Sequence, residues 1–397
     1  MRPSDAPGAG QPGATLGPLL ALHGDIAAAR GVDELAAVAA VIPRTAVKVL
    51  GGVAAGGAGA GTEAAHAADE PDGLGASRPA DPLDVAGPIG VGEVTRAISA
   101  LNDDVSARVV RAVAAEMQVD LGQACWLAFG SQARGEQTLY TDQDNGLVFA
   151  AAGADEAQAR RPAWLAFGRQ VNEALARCGY ALCDGRVMAG QPLCCLSPEE
   201  WCRRFEHWMA HGDGNDLFAA RIYFDVRPLA GNVALARPLA ELLRSPAAAV
   251  PRFVKQMADI VLCNHVPLNW LGQVVTTTHA GQRMFDLKMS GTALFVDAGR
   301  LWALAHRLGE VGTVPRLRAA ARAMRVPERE TAQWVAGFQA LQALRLGVQR
   351  TRGLPAGSHE RAWVPWGDLD ADARRELRLA LRAARVVQQR IVLDYCR

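Results

Sequence analysis

The chain has 397 residues, with 42 basic and 41 acidic side chains and a formal net charge of +1. That balance excludes a protein that grips nucleic acid by broad charge neutralisation, which needs a basic excess. Half of the residues are hydrophobic and 21% are charged, so most of the chain can fold, and its length suits two or three domains. Only three basic residues are lysines, Lys48, Lys255 and Lys288. An arginine is therefore background here, and a lysine is the better pointer to a particular role.

The start, MRPSDAPGAG, lacks the apolar run of a signal peptide. No stretch approaches the roughly 18 consecutive apolar residues of a membrane span. The eight cysteines form no C-x-x-C pair, which leaves zinc-ribbon and thioredoxin chemistry unsupported. They read as small buried hydrophobes of a cytoplasmic protein.

In chain order, residues 1–18 are rich in Pro and Gly. Leu19–Leu50 has a helical rhythm, with Leu35, Val38 and Val41 in phase, and predicts two helices. Residues 51–88 are dominated by Gly, Ala, Asp and Pro and lack a G-K-[ST] step. They predict a flexible insert and not a P-loop, within an N-terminal helical region of residues 1–90. Val91–Met117 resumes a helical pattern.

Cys125–Phe129 (CWLAF) then has the length and apolarity of a strand. A second strand, Leu147–Ala150, follows the acidic turn Thr141–Asn145. Trp164, Gly168, Val171 and Leu175 mark one amphipathic helix, and Trp201, Phe205 and Trp208 another. Arg221–Val226 (RIYFDV) predicts a third strand stopped by Pro228. Alternating strands and helices from about residue 120 to 230 predict an α/β domain over residues 91–245. From Pro251 the pattern is mostly helical, with Trp334, Phe338, Leu341 and Val348 in phase and a final helix through Leu377 and Ile391. A helical bundle is expected over residues 246–397.

The segment Phe129-Gly130-Ser131-Gln132-Ala133-Arg134-Gly135-Glu136-Gln137-Thr138, followed by Thr141-Asp142-Gln143-Asp144, carries the chemistry. A strand that ends in Gly-Ser and turns into a helix offers free backbone N–H groups to a phosphate. Glycine lets the ligand approach the backbone, and the serine hydroxyl can add a hydrogen bond. Asp142 and Asp144 are two apart in extended chain, so both carboxylates lie on one face. Two adjacent carboxylates repel unless they share a cation, and oxygen ligands beside a phosphate suit Mg²⁺.

These residues resemble the polymerase-beta-type nucleotidyltransferase superfamily, whose motif is an apolar residue, Gly, Gly or Ser, a spacer of about ten, then Asp-x-Asp. The longer pattern Gly-Ser-x-Ala-Arg-Gly-Glu-x-Thr with Thr-Asp-x-Asp-Asn looks like the branch of protein-PII uridylyltransferases and glutamine-synthetase adenylyltransferases. Still closer is a nucleotidyltransferase family often found behind cyclic-nucleotide-binding and CBS domains, which ends in a helical substrate-binding domain. Leu287-Lys288-x-Ser-Gly, Asp297-x-Gly-Arg300-Leu-Trp-Ala-Leu and Leu341-Gln-x-Leu-Arg345 look like that domain's signatures. The similarity covers roughly residues 90–397. No H-D phosphohydrolase segment or tandem sensing domain is visible within it.

The resemblance implies an α+β fold: a polymerase-beta-like domain flanked by N-terminal helices and a C-terminal helical bundle. It implies two Mg²⁺ ions on Asp142 and Asp144, with a third carboxylate from a later strand. Asp225 is the candidate for that place, and Asp184 the second choice. It further implies transfer of a nucleoside monophosphate from an NTP, UTP or ATP, to a hydroxyl. The acceptor would be a PII-like regulatory protein. A small-molecule acceptor, or a nucleotide-binding module without turnover, are the alternatives. Gly130 and Ser131 would bind the triphosphate. Arg134 either neutralises phosphate or pairs with Glu136, and Lys288 either reaches the nucleotide or pairs with Asp286.

Overall fold

The computed structural model describes residues 15–56, 90–279, 281–352 and 362–396. Three helices open it: α1 (Gly17–Ala28), α2 (Val32–Ala39) and α3 (Ile42–Gly56). Two were expected here. The additional break falls at Gly31, whose extended backbone starts α2. Pro43 then stands in the first turn of α3, where its missing N–H leaves no helical bond unmade. The start of the expected insert, through Gly56, continues α3, and the rest of it lies outside the described residues. Helix α4 (Val91–Glu116) follows as predicted.

The central sheet has four strands: β1 (Ala124–Phe129), β2 (Asn145–Phe149), β3 (Cys195–Leu196) and β4 (Val226–Gly231), in the order β3-β2-β1-β4. β1 runs antiparallel to β2 and β4, and β2 runs parallel to β3. Between them lie α5 (Gly130–Ala133), α6 (Ala154–Arg177), α7 (Pro198–His211) and α8 (Gly214–Ala220), with α9 (Arg237–Leu243) after β4.

Every residue of β1 is buried, because both faces of the sheet are covered. Strand alternation divides the side chains. Ala124 and Trp126, with Leu147 and Phe149, pack against α1–α4 and α6. Cys125, Leu127 and Phe129, with Val148, pack against α7 and the C-terminal helices. Helix α7 is set by a capping box: Ser197 accepts from the Glu200 N–H, Glu200 accepts from the Ser197 N–H, and Pro198 opens the first turn. Its face Trp201, Phe205 and Trp208 meets Phe129, Tyr223 and Phe224.

The third strand is displaced from its predicted position. Arg221–Phe224 is a 3₁₀ turn that continues α8, and the strand starts only after Asp225. Pro228 lies inside β4 and does not stop it. β4 is an edge strand, and its register against β1 shifts at Trp126/Leu127, so a residue without an N–H is tolerated there.

The C-terminal part contains α10 (Pro251–Cys263), α11 (Ala293–Ala305), α12 (Thr313–Ala323), α13 (Glu328–Arg352) and α14 (Ala371–Tyr395). Trp302 and Trp334, both fully buried, stack at 4.9 Å between α11 and α13. A small sheet of β5 (Thr277–His279), β6 (Gln282–Asp286) and β7 (Trp363–Pro365) was not expected. β5 is exposed throughout, so it shows no buried alternation, and β7 pairs with β6 from a distant part of the chain. Among the described residues no helix is long and apolar enough to cross a membrane.

Candidate active site

The end of β1 organises the site. The N–H of Phe129 donates to Asp144 O at 2.9 Å, and the N–H of Gly130 donates to Asp225 O at 3.1 Å. Asp144 and Asp225 thus flank the turn on opposite sides. Gly130 has φ +55°, a conformation that favours glycine. A Cβ there would stand 3.0 Å from Asp144 Oδ2 and 3.3 Å from Ile222 Cγ1. Helix α5 is a single turn, closed by Gly135 at φ +67°, with the Glu136 N–H returning to Ser131 O at 2.9 Å. The expectation of free donors at the helix start therefore fails at Gly130, whose N–H is held by the Asp225 carbonyl just before β4.

Asp142 and Asp144 lie in extended chain just before β2. The residues that alternate with them, Gln143 and Asn145, are buried on the opposite side. Gln143 Nε2 donates to the carbonyls of Asn172 and Tyr180 at 2.9 and 3.0 Å. Asn172 Nδ2 donates to Gln143 Oε1 and Asn145 Oδ1 at 2.8 and 2.9 Å. Asn145 Oδ1 also accepts from the Ala189 N–H, and Asn172 Oδ1 from the Gly190 N–H. Nearby, Tyr180 Oη donates to Asn102 Oδ1, Asn102 donates to Gln137, and Gln137 donates to Thr141 Oγ1. A buried amide network thus fixes the backbone that presents the two carboxylates.

Asp144 is only partly exposed. Burial raises its pKa to about 6, against the pull of Lys288, a hydrogen bond from the Cys183 thiol and the charge of Arg134; the Asp142 carboxylate adds to the rise. Lys288 belongs to the C-terminal part, in a π turn over Lys288–Thr292. Asp286 does not serve it as a side-chain counter-ion. Its carboxylate accepts from the backbone N–H groups of Lys288 and Met289 at 2.8 and 2.9 Å. The Lys288 amine is lowered by burial and by Arg345, and raised by Asp144 and Asp142. The second domain thus brings a cation to the aspartate pair.

Asp225 is placed differently. It is fully buried, and both its oxygens are taken by arginines. Arg134 Nη1 lies 2.5 Å from Oδ2, Arg300 Nη2 lies 2.6 Å from Oδ2 and its Nε 3.1 Å from Oδ1, and Arg316 donates to Oδ1. Burial alone would raise its pKa, but Arg300, Arg316 and Arg134 hold it well below the usual carboxylate range. The structure therefore brings Asp142, Asp144, Gly130 and Lys288 together and turns the Asp225 side chain towards the arginines. Arg134 pairs with Glu136 at 2.8 Å as well as with Asp225. Glu136 accepts from the N–H and hydroxyl of Thr313 at the start of α12, which caps that helix across the junction of the two parts. Asp184 lies exposed on the loop that carries Cys183. Among the described residues no three His, Cys, Asp or Glu side chains form a metal-sized group.

Gln143, Asn145 and Asn172 were missed by sequence reasoning. Their signal was present: amide side chains next to the aspartates, at the edge of an apolar strand, need partners if buried. Arg300 and Arg316 offered no comparable signal in a chain so rich in arginine.

An Asp-x-Asp pair beside a glycine turn on a small mixed sheet, faced by a helical domain, defines a nucleotidyltransferase architecture. Residues 85–215 match the family model "Putative nucleotidyltransferase DUF294", and residues 251–395 match "Putative nucleotidyltransferase substrate binding domain". The chain belongs to this nucleotidyltransferase family, with its C-terminal substrate-binding domain. No curated protein matches it.

Proposed function

We propose that this chain is a Mg²⁺-dependent enzyme that moves a nucleoside monophosphate from UTP or ATP to a hydroxyl of a PII-like regulatory protein in the cytoplasm. The observation that carries the chemistry is the Asp142–Asp144 pair beside Gly130, with Lys288 facing it from the substrate-binding domain. The donor set fits Mg²⁺: two hard oxygen ligands on adjacent carboxylates, one desolvated enough to resist ionising without a counter-charge. Asp142 and Asp144 would hold the ion, and Asp225 would have to leave three guanidinium groups to join them. Bound there, Mg²⁺ supplies charge neutralisation for in-line displacement at the α-phosphorus.

The chain's own residues do the rest. Gly130 keeps the turn free of a side chain where the phosphates approach. Gln143, Asn145 and Asn172 hold the aspartates in register, and Lys288 adds positive charge from the other side. A protein acceptor is supported by the likeness of the Gly130–Thr138 segment to protein-PII uridylyltransferases, and a reducing compartment by the eight free cysteines.

The test incubates the protein with Mg²⁺ and each of four α-labelled nucleotides, with and without cell lysate. Label on a lysate protein band is expected from UTP or ATP. Label on a small product would replace the acceptor, and transfer from none of the four would overturn the assignment.

A further inference from the structure

Helix α14 buries Leu377, Ala380, Leu381, Ala384, Val387 and Ile391. Its opposite face is open and patterned. Leu379, Val386 and Leu393 recur every seven residues and are 52%, 40% and 52% exposed. Arg375, Arg382 and Gln389, also exposed, alternate with them at steps of three and four. These positions form one stripe with the repeat by which one helix packs along another. Exposed apolar residues scattered singly need no explanation, but a row in heptad phase does.

A turn between α10 and β5 stands beside the stripe, with Trp270, 89% exposed, and Leu271 at its tip. The Asn269 N–H donates to Gln273 O at 2.9 Å, the Gly272 N–H to Asn269 O at 3.0 Å, and the Gln273 N–H to Asn269 Oδ1 at 2.9 Å. A Cβ built on Gly272 would stand 3.5 Å from Arg382 Nη2. Arg385 Nη2 donates to Leu268 O at 2.7 Å, and Gln388 Nε2 donates to Asn264 O at 2.7 Å. The backbone of the turn is thus fastened to α14 while the indole stays in water, an arrangement suited to a contact outside the chain.

We propose that this face pairs with the same face of a second copy of the chain, the two α14 helices running antiparallel about a two-fold axis level with residue 384. The pattern complements itself in that sense and not in the other. Running parallel, it would set Arg375 against Arg375 and Arg382 against Arg382, and like charges oppose association. Running antiparallel, Leu379, Val386 and Leu393 lie against Gln389, Arg382 and Arg375 of the second copy, whose aliphatic stems cover them. The exposed Arg375 and Arg378 then approach the end of α14 where Asp394 and Glu330 share Arg390. Arg382 and Arg385, which touch the turn, are level with the axis, and antiparallel pairing puts both turns on one edge of the helix pair. Trp270 and Leu271 of the two copies therefore meet there, and a two-fold contact of this kind closes at a dimer.

The test is the mass of the full chain in solution, by sedimentation equilibrium over about 1–100 µM, for wild type, V386R, W270S and the double variant V386R/R382E. Wild type should be a dimer with a micromolar dissociation constant. V386R sets a second cation against Arg382 of the other copy, and W270S removes the tip of the turn, so each should weaken the dimer about tenfold or more. V386R/R382E should recover most of that loss, because antiparallel pairing sets the two new charges against each other across the copies. The three positions are exposed, circular dichroism checks that each variant is folded, and W270S carries the test if V386R is not. A wild type that stays monomeric throughout, or a dimer that V386R and W270S leave intact, overturns the inference. A double variant no tighter than V386R overturns the antiparallel pairing.

Discussion

Asp144 and Asp225 sit on either side of the same glycine turn, the first partly and the second fully buried, and their acidities move in opposite directions. Burial raises each of them. At Asp225 three built-in guanidinium groups reverse the effect, and at Asp144 the surrounding charges do not. A carboxylate whose counter-charge is part of the fold serves the fold, whereas one whose counter-charge is incomplete is suited to an ion from outside. Asp225, just before β4, is tied to Arg134, Arg300 and Arg316, and the proposed chemistry falls to the aspartate pair.

Breaking the Asp225 side has the largest expected effect. Asp225→Asn keeps the shape and leaves two buried arginines and the partly buried Arg134 without their shared carboxylate, so unfolding free energy should fall by about 3–5 kcal/mol. Urea denaturation measures it, and a variant as stable as wild type would remove the anchor role. The depressed acidity has a definite sign. Its stabilisation is complete above the ordinary carboxylate range and is lost only as pH falls through the lower folded-state value.

Breaking the other side should separate activity from stability. Asp142→Asn should lower nucleotide transfer by about 10²–10³-fold or more, roughly 3–4 kcal/mol of transition-state stabilisation. Its melting temperature should stay close to wild type, because Asp142 is only partly buried. A fully active Asp142→Asn enzyme would end the catalytic assignment.

How much of this was legible in the sequence follows the range of the interactions. Gly130, Asp142 and Asp144 lie within one short segment, and local spacing was enough to bring them together. The strand at 226–231 was displaced because Pro228 reads as a stop, and only sheet order shows that it lies on an edge. The arginine cluster joins residues 91 and 75 positions apart, and composition had already made arginine uninformative. The amide network lies between these cases: Gln143 and Asn145 were adjacent to the motif, but Asn172 came from a helix read only for its apolar face. Asn172→Ala removes two donors and one acceptor from buried partners, so it should cost about 1–3 kcal/mol of stability. It should also weaken Mg²⁺ binding by loosening Asp142 and Asp144. Unaltered metal affinity in a folded Asn172→Ala protein would show that the network supports the fold alone.

The smallest effect comes from titrating the pair. Without a cation Asp144 ionises at about 6, well above its ordinary value of 3.8. Between those values the folded chain keeps a proton that the unfolded chain has lost, so stability falls as pH rises across that window and levels off above it. A metal ion must displace the same proton. Its affinity should therefore be flat above pH of about 6 and weaken by up to about tenfold per unit below it. Mg²⁺ or Mn²⁺ titrations at about pH 5 and pH 7 measure the difference. The same affinity at both would mean that Asp144 is already ionised by its neighbours, and the contrast with Asp225 would shrink to one of degree.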